Sequence, residues 1–168
     1  MAVKLNSMRL LDQHKIPYEV VEFSDELRDA ELIAEVLGMP PFMVYKTLVV
    51  QADGADKPYL CLLAADRRLA LKKVALAAGD KKVRMLAHKD AETLTGLKVG
   101  GISALALTQK NWKVFLDEPA SQLQHFLMSA GQRGVDVRVP VAALMGLLRP
   151  RIAAISVSAE EGGDEDAV

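Results

Sequence analysis

The order of its elements predicts an α+β domain with a mixed, partly closed sheet. Three observations lead there. Short β-type runs and short helical patterns interleave irregularly, without a regular strand–helix–strand series. No repeat or linker interrupts them. The chain has 168 residues, 51% hydrophobic and 26% charged, which suffices for one domain with a real core but not comfortably for two.

Leu5, Met8, Leu10 and Leu11 recur at near-helical spacing and predict a short helix over about residues 3–14. After Pro17, residues 18–23 read as a strand, ended by the turn-prone Ser24 and Asp25. Asp29 can cap a helix running through Leu37, with Leu32, Ile33, Val36 and Leu37 facing inward and Gly38 as the stop. Pro40-Pro41 enforces an extended approach to a strand at 44–50, which forms a hairpin with 59–64 across the turn at 53–56. Asp66-Arg67-Arg68 leads into a helix at 70–78, stopped by Gly79; residues 83–86 are short and ambiguous. A helix at 88–94, with Ala91 and Leu94 inward, ends at Gly96 and opens into a glycine-bearing loop at 96–104. Strands follow at 112–116, 126–128, 135–139 and 152–157. A turn at 117–119 and a second glycine-bearing connection at 129–134 separate the first three, and a helix beginning at Pro140 and ending at Leu148 precedes the last.

The net charge is −1, but residues 158–168 hold five acids and no base, so the rest of the chain is mildly basic. That body suits an RNA backbone. The segment after Ser158 lacks apolar periodicity and reads as a disordered acidic tail, leaving residues 1–157 as the domain. Aromatics make up 5% with a single Trp112, which argues against a stacking platform for single-stranded nucleic acid. Cys61 is the only cysteine, so no intrachain disulfide can form and a reducing cytoplasm is the natural home. No signal-peptide or membrane-spanning run is present.

The strand at 44–50 carries a charge on an apolar face: Val44, Lys46, Leu48 and Val50 share one side, Tyr45, Thr47 and Val49 the other. Lys46 is either an edge gatekeeper or a partly desolvated functional amine. Gly100-Gly101-Ile102-Ser103 fits neither nucleotide-binding glycine pattern; it is a simple turn or a loop that aims backbone N–H groups at a ligand oxygen. Asp136 enters an apolar strand straight after a turn and either caps that turn or lines a pocket. Cys61 sits in an apolar strand as a structural thiol. His14, His88 and His125 are scattered without metal-ligand spacing, so no metal or other cofactor is expected.

Val-Tyr-Lys-Thr-Leu-Val-Val at 44–50, Leu-Lys-Lys-Val-Ala at 71–75, Lys-Lys-Val-Arg-Met at 81–85, Val-Gly-Gly-Ile-Ser at 99–103 and Ser-Ala-Gly-Gln-Arg-Gly at 129–134 occur in one order and spacing. In this the chain resembles the YbaK/EbsC family, free-standing relatives of the editing domain of bacterial prolyl-tRNA synthetase, from Met8 to Ile155. The resemblance implies a mixed, barrel-like sheet flanked by helices and deacylation of mischarged tRNA, Cys-tRNA(Pro) first, without a cofactor. It implies that Lys46 is the pocket's key polar group and that Gly101, Ile102 and Ser103 hold the ester, with Phe23, Thr47, Gly100, Ser129, Gly131 and Asp136 binding substrate. The implied partners are the tRNA acceptor end and prolyl-tRNA synthetase. Ala104 and Ala106 stand where the family has proline and glycine, Ala130 and Gln132 where it has glycine and lysine, and Phe23 where many members have tyrosine. These changes fall in segments expected to form the pocket wall. Asp29 stands nearest the position of an aromatic common in the family.

Hydrolysing an aminoacyl ester requires a held carbonyl, a stabilised oxyanion and a positioned nucleophile. No Ser-His-Asp or Cys-His set is legible, so the expected attacker is water, or the substrate's own thiol, without a covalent enzyme intermediate. The rival readings are removal of alanine or serine from the same tRNA, and a non-catalytic binder of tRNA acceptor ends. A transcriptional regulator is disfavoured by the lack of a helix-turn-helix pattern.

Overall fold

Residues 45–52 carry apolar side chains on both faces, so the strand they form has to be covered on both sides. The computed structural model describes residues 4–161. In chain order it contains α1 (Asn6–Gln13), β1 (Glu19–Glu22), α2 (Ala30–Leu37), β2 (Tyr45–Ala52), β3 (Tyr59–Ala64), β4 (Arg67–Leu69), α3 (Leu71–Ala78) and β5 (Val83–Met85). Then come α4 (His88–Thr95), β6 (Val114–Asp117), β7 (His125–Gln132), β8 (Val135–Pro140), α5 (Val141–Leu148), β9 (Arg151–Ala153) and β10 (Ser156–Ser158).

The expected α+β class and mixed sheet are borne out. Five strands run in the order β5-β2-β3-β6-β9, antiparallel from β5 to β3 and parallel from β3 to β9. A second sheet, β1-β8-β7, is antiparallel, and β4 pairs with β10. A bridge between Val44 and Leu127 ties the two larger sheets together, and the Tyr45 ring stacks on Phe126 at 4.3 Å beside it. Alternation then divides the core: Tyr45, Val49, Leu60 and Leu62 pack with Phe126, Met128 and Val137 on one side of the hairpin. Val50, Cys61, Leu63 and Phe115 pack with Val74 of α3 on the other.

Several expectations need correction. α2 turns Ile33 and Ala34 inward, leaving Leu32 and Val36 exposed, because Ala34 packs in the cluster with Val44 and Leu127 beneath the joint between the sheets. Pro41–Met43 form a 3-10 turn before β2. In α4 the inward pair is Ala91 and Thr95 rather than Ala91 and Leu94: the Thr95 hydroxyl donates to the Ala91 carbonyl at 2.7 Å, and this satisfies it in a buried position. β7 extends through most of the connection expected at 129–134, with a bulge between Ser129 and Gln132 that absorbs the extra residues. The loop after Ser103 becomes a 3-10 segment, Leu105–Lys110. Ser158 closes β10 and Ala159–Glu161 form one 3-10 turn; the rest of the tail lies outside the described residues.

The strand expected at 152–157 is two strands in different sheets, and Asp117 is the reason. Its carboxylate, 1% exposed, accepts the Ile155 N–H at 3.1 Å and the Ser156 hydroxyl, with the Arg67 guanidinium 3.7 Å away. Arg67 in turn donates to the Ser156 hydroxyl oxygen at 2.6 Å. Breaking off β6 at Ala153 and joining β4 is what brings these groups together, and it makes a strand of Arg67–Leu69, which local pattern does not announce. Asp117→Ala strands Arg67 and the Ile155 amide, and is expected to cost about 3 kcal/mol in urea unfolding; an unchanged midpoint would show that the cluster is dispensable.

Candidate active site

The pairing of β2 leaves part of one edge open. The Val44 carbonyl accepts the Ala65 N–H at 2.7 Å, so by antiparallel alternation the backbone groups of Tyr45, Thr47 and Val49 point away from β3. On that far edge Val44 bridges to Leu127, the Val49 carbonyl accepts the Leu86 N–H at 3.3 Å, and β5 takes over from Val50. Between those ends, on that edge, Thr47 has no strand partner among the described residues. A cavity of about 210 Å³ fills the gap, and because it runs along an edge, residues of both faces of β2 line it, Lys46 and Thr47 together.

Its other walls are Arg28, Asp29 and Ile33 before and within α2, His88 and Ala91 of α4, the loop residues Gly100 and Ile102, and Ser129 and Asp136 across the β7–β8 pair. The fold therefore assembles Lys46, Thr47, Gly100, Ile102, Ser129 and Asp136 from four separate stretches of sequence. The remaining four expected residues do not line this surface. Phe23 is half-buried, with its N–H donating to the Gly134 carbonyl at 3.0 Å. Ser103 is fully buried, its hydroxyl accepting the Leu105 N–H. Gly131 adopts φ +109° against Ala106. Gly101 packs so closely that a Cβ there would lie 2.7 Å from the Arg133 nitrogen. Ala104, Ala106, Ala130 and Gln132 do not line the cavity either, whereas Asp29, nearest the position of the family's aromatic, does.

The glycine loop is clamped from two sides. The Val99 N–H donates to Glu92 Oε2 at 2.8 Å, and Arg133 Nε donates to the Val99 carbonyl at 2.7 Å. Arg133 and Glu92 also approach within 3.8 Å. The Val99 hydrogen bond, followed by the nearby Lys98 and Arg133 charges, holds the Glu92 carboxyl below its ordinary range despite some desolvation. The Gly101 N–H is committed to the Lys98 carbonyl at 2.8 Å, whereas those of Gly100, Ile102 and Ser103 have no hydrogen-bond partner among the described residues. A fixed loop with uncommitted amides can receive an anionic oxygen without reorganising.

A family model described as "Aminoacyl-tRNA editing domain" matches residues 24–147, a span that contains every wall of this cavity. The chain belongs to that family. A relative from Enterococcus faecalis, provisionally named Cys-tRNA(Pro)/Cys-tRNA(Cys) deacylase EbsC, is 37% identical over 155 residues, covering 91% of this chain and 93% of its own length. The resemblance read from the five sequence blocks is borne out by both. Among solved structures, the hypothetical protein APE2540 superposes with a TM-score of 0.81 at 20% identity, over 89% of this chain and 97% of its own. A proposed trans-editing enzyme for prolyl tRNA synthetase superposes with a TM-score of 0.75 at 23% identity, over 91% and 98%. At those identities the likeness is one of fold.

In this editing domain two cavity residues, Arg28 and His88, carry no sequence signal of their own, and a third, Asp29, signals a helix cap rather than a pocket residue. Arg28 precedes a helix cap, Asp29 is that cap and accepts the Glu31 N–H at 3.2 Å, and His88 opens α4. Only the meeting of α2 and α4 over the open edge of β2 makes them neighbours. No three His, Cys, Asp or Glu side chains converge as a metal site among the described residues. Cys61 is fully buried on the opposite side of the hairpin, and burial pushes its thiol well above the usual range, which suits a packing role.

Asp136 stands out electrostatically. It lies in β8 between Val21 and Ser129, is 5% exposed, and burial pushes its carboxyl up to about 7. The folded state thus holds a proton that the unfolded chain releases near pH 4, and the penalty grows as pH rises from there to about 7 and then levels off. Asp136→Asn removes that penalty. The variant is expected to be more stable than the parent at pH 8, by up to roughly 4 kcal/mol, with the gain shrinking toward pH 5; thermal unfolding at both pH values measures it, and a gain independent of pH would refute the cause given.

Proposed function

We propose that this protein removes a small, wrongly attached amino acid from tRNA in trans, Cys-tRNA(Pro) above all. The observation that carries the reading is the cavity itself: a lysine, a buried carboxyl and a clamped loop with uncommitted amides enclose about 210 Å³. That is below the usual volume of small-molecule pockets, roughly 300–1,000 Å³, and suits a short aminoacyl group rather than an aromatic one. Membership in the editing family and the name of the Enterococcus faecalis relative support the same chemistry and the same amino acid.

In this reading the ester carbonyl lies against Gly100 and Ile102, whose amides take up the charge that develops on its oxygen, with buried Ser103 supporting the loop. Gly101 contributes through close packing, since its amide is already committed. Lys46 holds the terminal adenosine phosphate, or the aminoacyl group through a water, and Ser129, Gly131, Phe23 and Thr47 shape or support the binding surface. The attacker is water, or the substrate's thiol when the amino acid is cysteine. Asp136, with a carboxyl poised near neutrality, accepts the proton that attacker sheds. The ester C–O bond then breaks, the ribose hydroxyl leaves with a proton, and no bond to the enzyme forms. The acceptor end of tRNA is the part engaged, prolyl-tRNA synthetase is a fitting working partner, and the cytoplasm is where both are met. No helix among the described residues is long and apolar enough to cross a membrane.

The test is a deacylation panel on Cys-, Ala- and Ser-tRNA(Pro). Lys46→Ala is expected to lower turnover of the preferred ester by about 100-fold or more, on the scale of losing a main electrostatic contact, while thermal stability stays near that of the parent. Near-normal turnover in Lys46→Ala would remove the lysine from the mechanism. Binding of tRNA without turnover of any ester would instead favour a non-catalytic binder of acceptor ends.

A further inference from the structure

A second concavity, of about 670 Å³, is larger than the editing cavity and shares no lining residue with it. It lies between the end of the 3-10 segment Leu105–Lys110, the start of β6 and the C-terminal end of α5. Lys113, Arg149 and Arg151 line it, all three exposed, together with exposed His14, and no aspartate or glutamate is among its lining residues. Lys110 flanks it, its ammonium 5.4 Å from the ring of Trp112, which itself lines the groove.

These cations are held in place without being neutralised. Lys113 sits 6.0 Å from the Tyr59 ring, and Arg151 lies 6.0 Å from the Phe115 ring while donating to the Ala77 carbonyl at 2.9 Å. The nearby Asp80 carboxylate is engaged by the Tyr59 hydroxyl at 2.6 Å. Among the described residues none of Lys110, Lys113, Arg149 and Arg151 forms an ion pair, in contrast to Lys4, Arg67, Arg133 and Arg138. Asn111 and Arg149 also hold left-handed backbone, at φ +56° and +49°, and Lys15, next to His14, does the same at +55°. Asn111 and Arg149, which line the groove, are the residues that end the 3-10 segment and α5.

We infer that this groove holds the phosphate backbone of the RNA whose acylated end enters the editing cavity. The inference rests on the proposed deacylation and gives it a docking surface. Charge complementarity selects the occupant: clustered, exposed, unpaired cations in a channel without acids suit successive phosphates. The spacing agrees. The 3-10 segment joins the glycine loop of the cavity to Lys110, and its six residues span at most about 12 Å at roughly 2.0 Å each. That is the length of three or four stacked nucleotides at roughly 3.4 Å each, so an end in the cavity and a backbone in the groove can belong to one strand.

The test uses the full-length protein and a Lys113→Glu/Arg149→Glu/Arg151→Glu variant, with Lys113→Gln/Arg149→Gln/Arg151→Gln as the milder control and thermal unfolding as the check on folding. Affinity for uncharged tRNA(Pro) is measured against NaCl concentration, and kcat/KM is measured on full-length Cys-tRNA(Pro) and on a cysteinylated CCA trinucleotide. Both variants are expected to lose at least about tenfold in tRNA affinity and in kcat/KM on full-length substrate. The salt slope should become shallower by about one unit for each phosphate no longer neutralised, and hydrolysis of the trinucleotide should stay unchanged. Equal affinity and an equal salt slope in parent and variants would overturn the groove while leaving the deacylase reading intact. The groove would also be overturned if the variants lost only co-purification with a protein partner. Should the parent hydrolyse neither ester, the deacylase reading fails, and the binding series alone decides the groove: loss in the variants supports it, retention refutes it.

Discussion

β2 is paired with β3 from Tyr45 to Val50 on one edge and held only toward its two ends on the other. Most of the molecule follows from that constraint. The Val44–Leu127 bridge and the stacked Tyr45–Phe126 pair fix one end to the three-stranded sheet, and β5 fixes the other from Val50 onward. Between them lies the cavity of about 210 Å³, room for a small ligand. A lysine in such a gap is neither a core residue nor an ordinary surface one. It is part-buried and lines the cavity, and a charge in a partly enclosed space contributes more than it would in open water.

What the sequence made legible was local. The hairpin, the helix stops, the buried thiol and the lysine on an apolar face all rest on residues a few positions apart, where periodicity and turn chemistry act directly. What it hid was non-local. Arg67–Leu69 is a strand only because a segment some ninety residues later pairs with it, and that segment leaves β6 only because Asp117, read as a turn residue, gathers Ile155, Ser156 and Arg67 around one carboxylate. In α2 the number of apolar residues was legible but the buried side was not, since Leu32 and Ile33 are equally apolar and the sheet joint decides between them. For the site, Lys46, Gly100, Ile102 and Asp136 could be singled out from pattern and family resemblance. Arg28 and His88 could not, because their place depends on how two helices meet.

The glycine loop shows how an irregular segment can be as fixed as a strand. Glu92 from α4 and Arg133 from the β7–β8 turn grip Val99 by its N–H and its carbonyl, and Gly101 is pressed against the turn backbone. Two otherwise separate parts of the domain therefore converge on one residue beside the cavity. Orientation of the loop amides is inherited from the frame, so changes outside the cavity at Glu92 or Arg133 act on the same geometry as changes within it.

The connectivity also dictates an order of assembly. β1 pairs with β8, joining Glu19 to Arg138, and the Ser7 hydroxyl of α1 donates to the carbonyl of Ala130. The first strand made thus waits for nearly the last before it gains a neighbour, an arrangement of high contact order that slows closure. During synthesis, a nascent chain that has reached Met128 has its lysine strand and glycine loop but neither Ser129 nor Asp136 to complete the wall. The cavity is a late product of folding, finished only when β7 and β8 have joined the strands made before them.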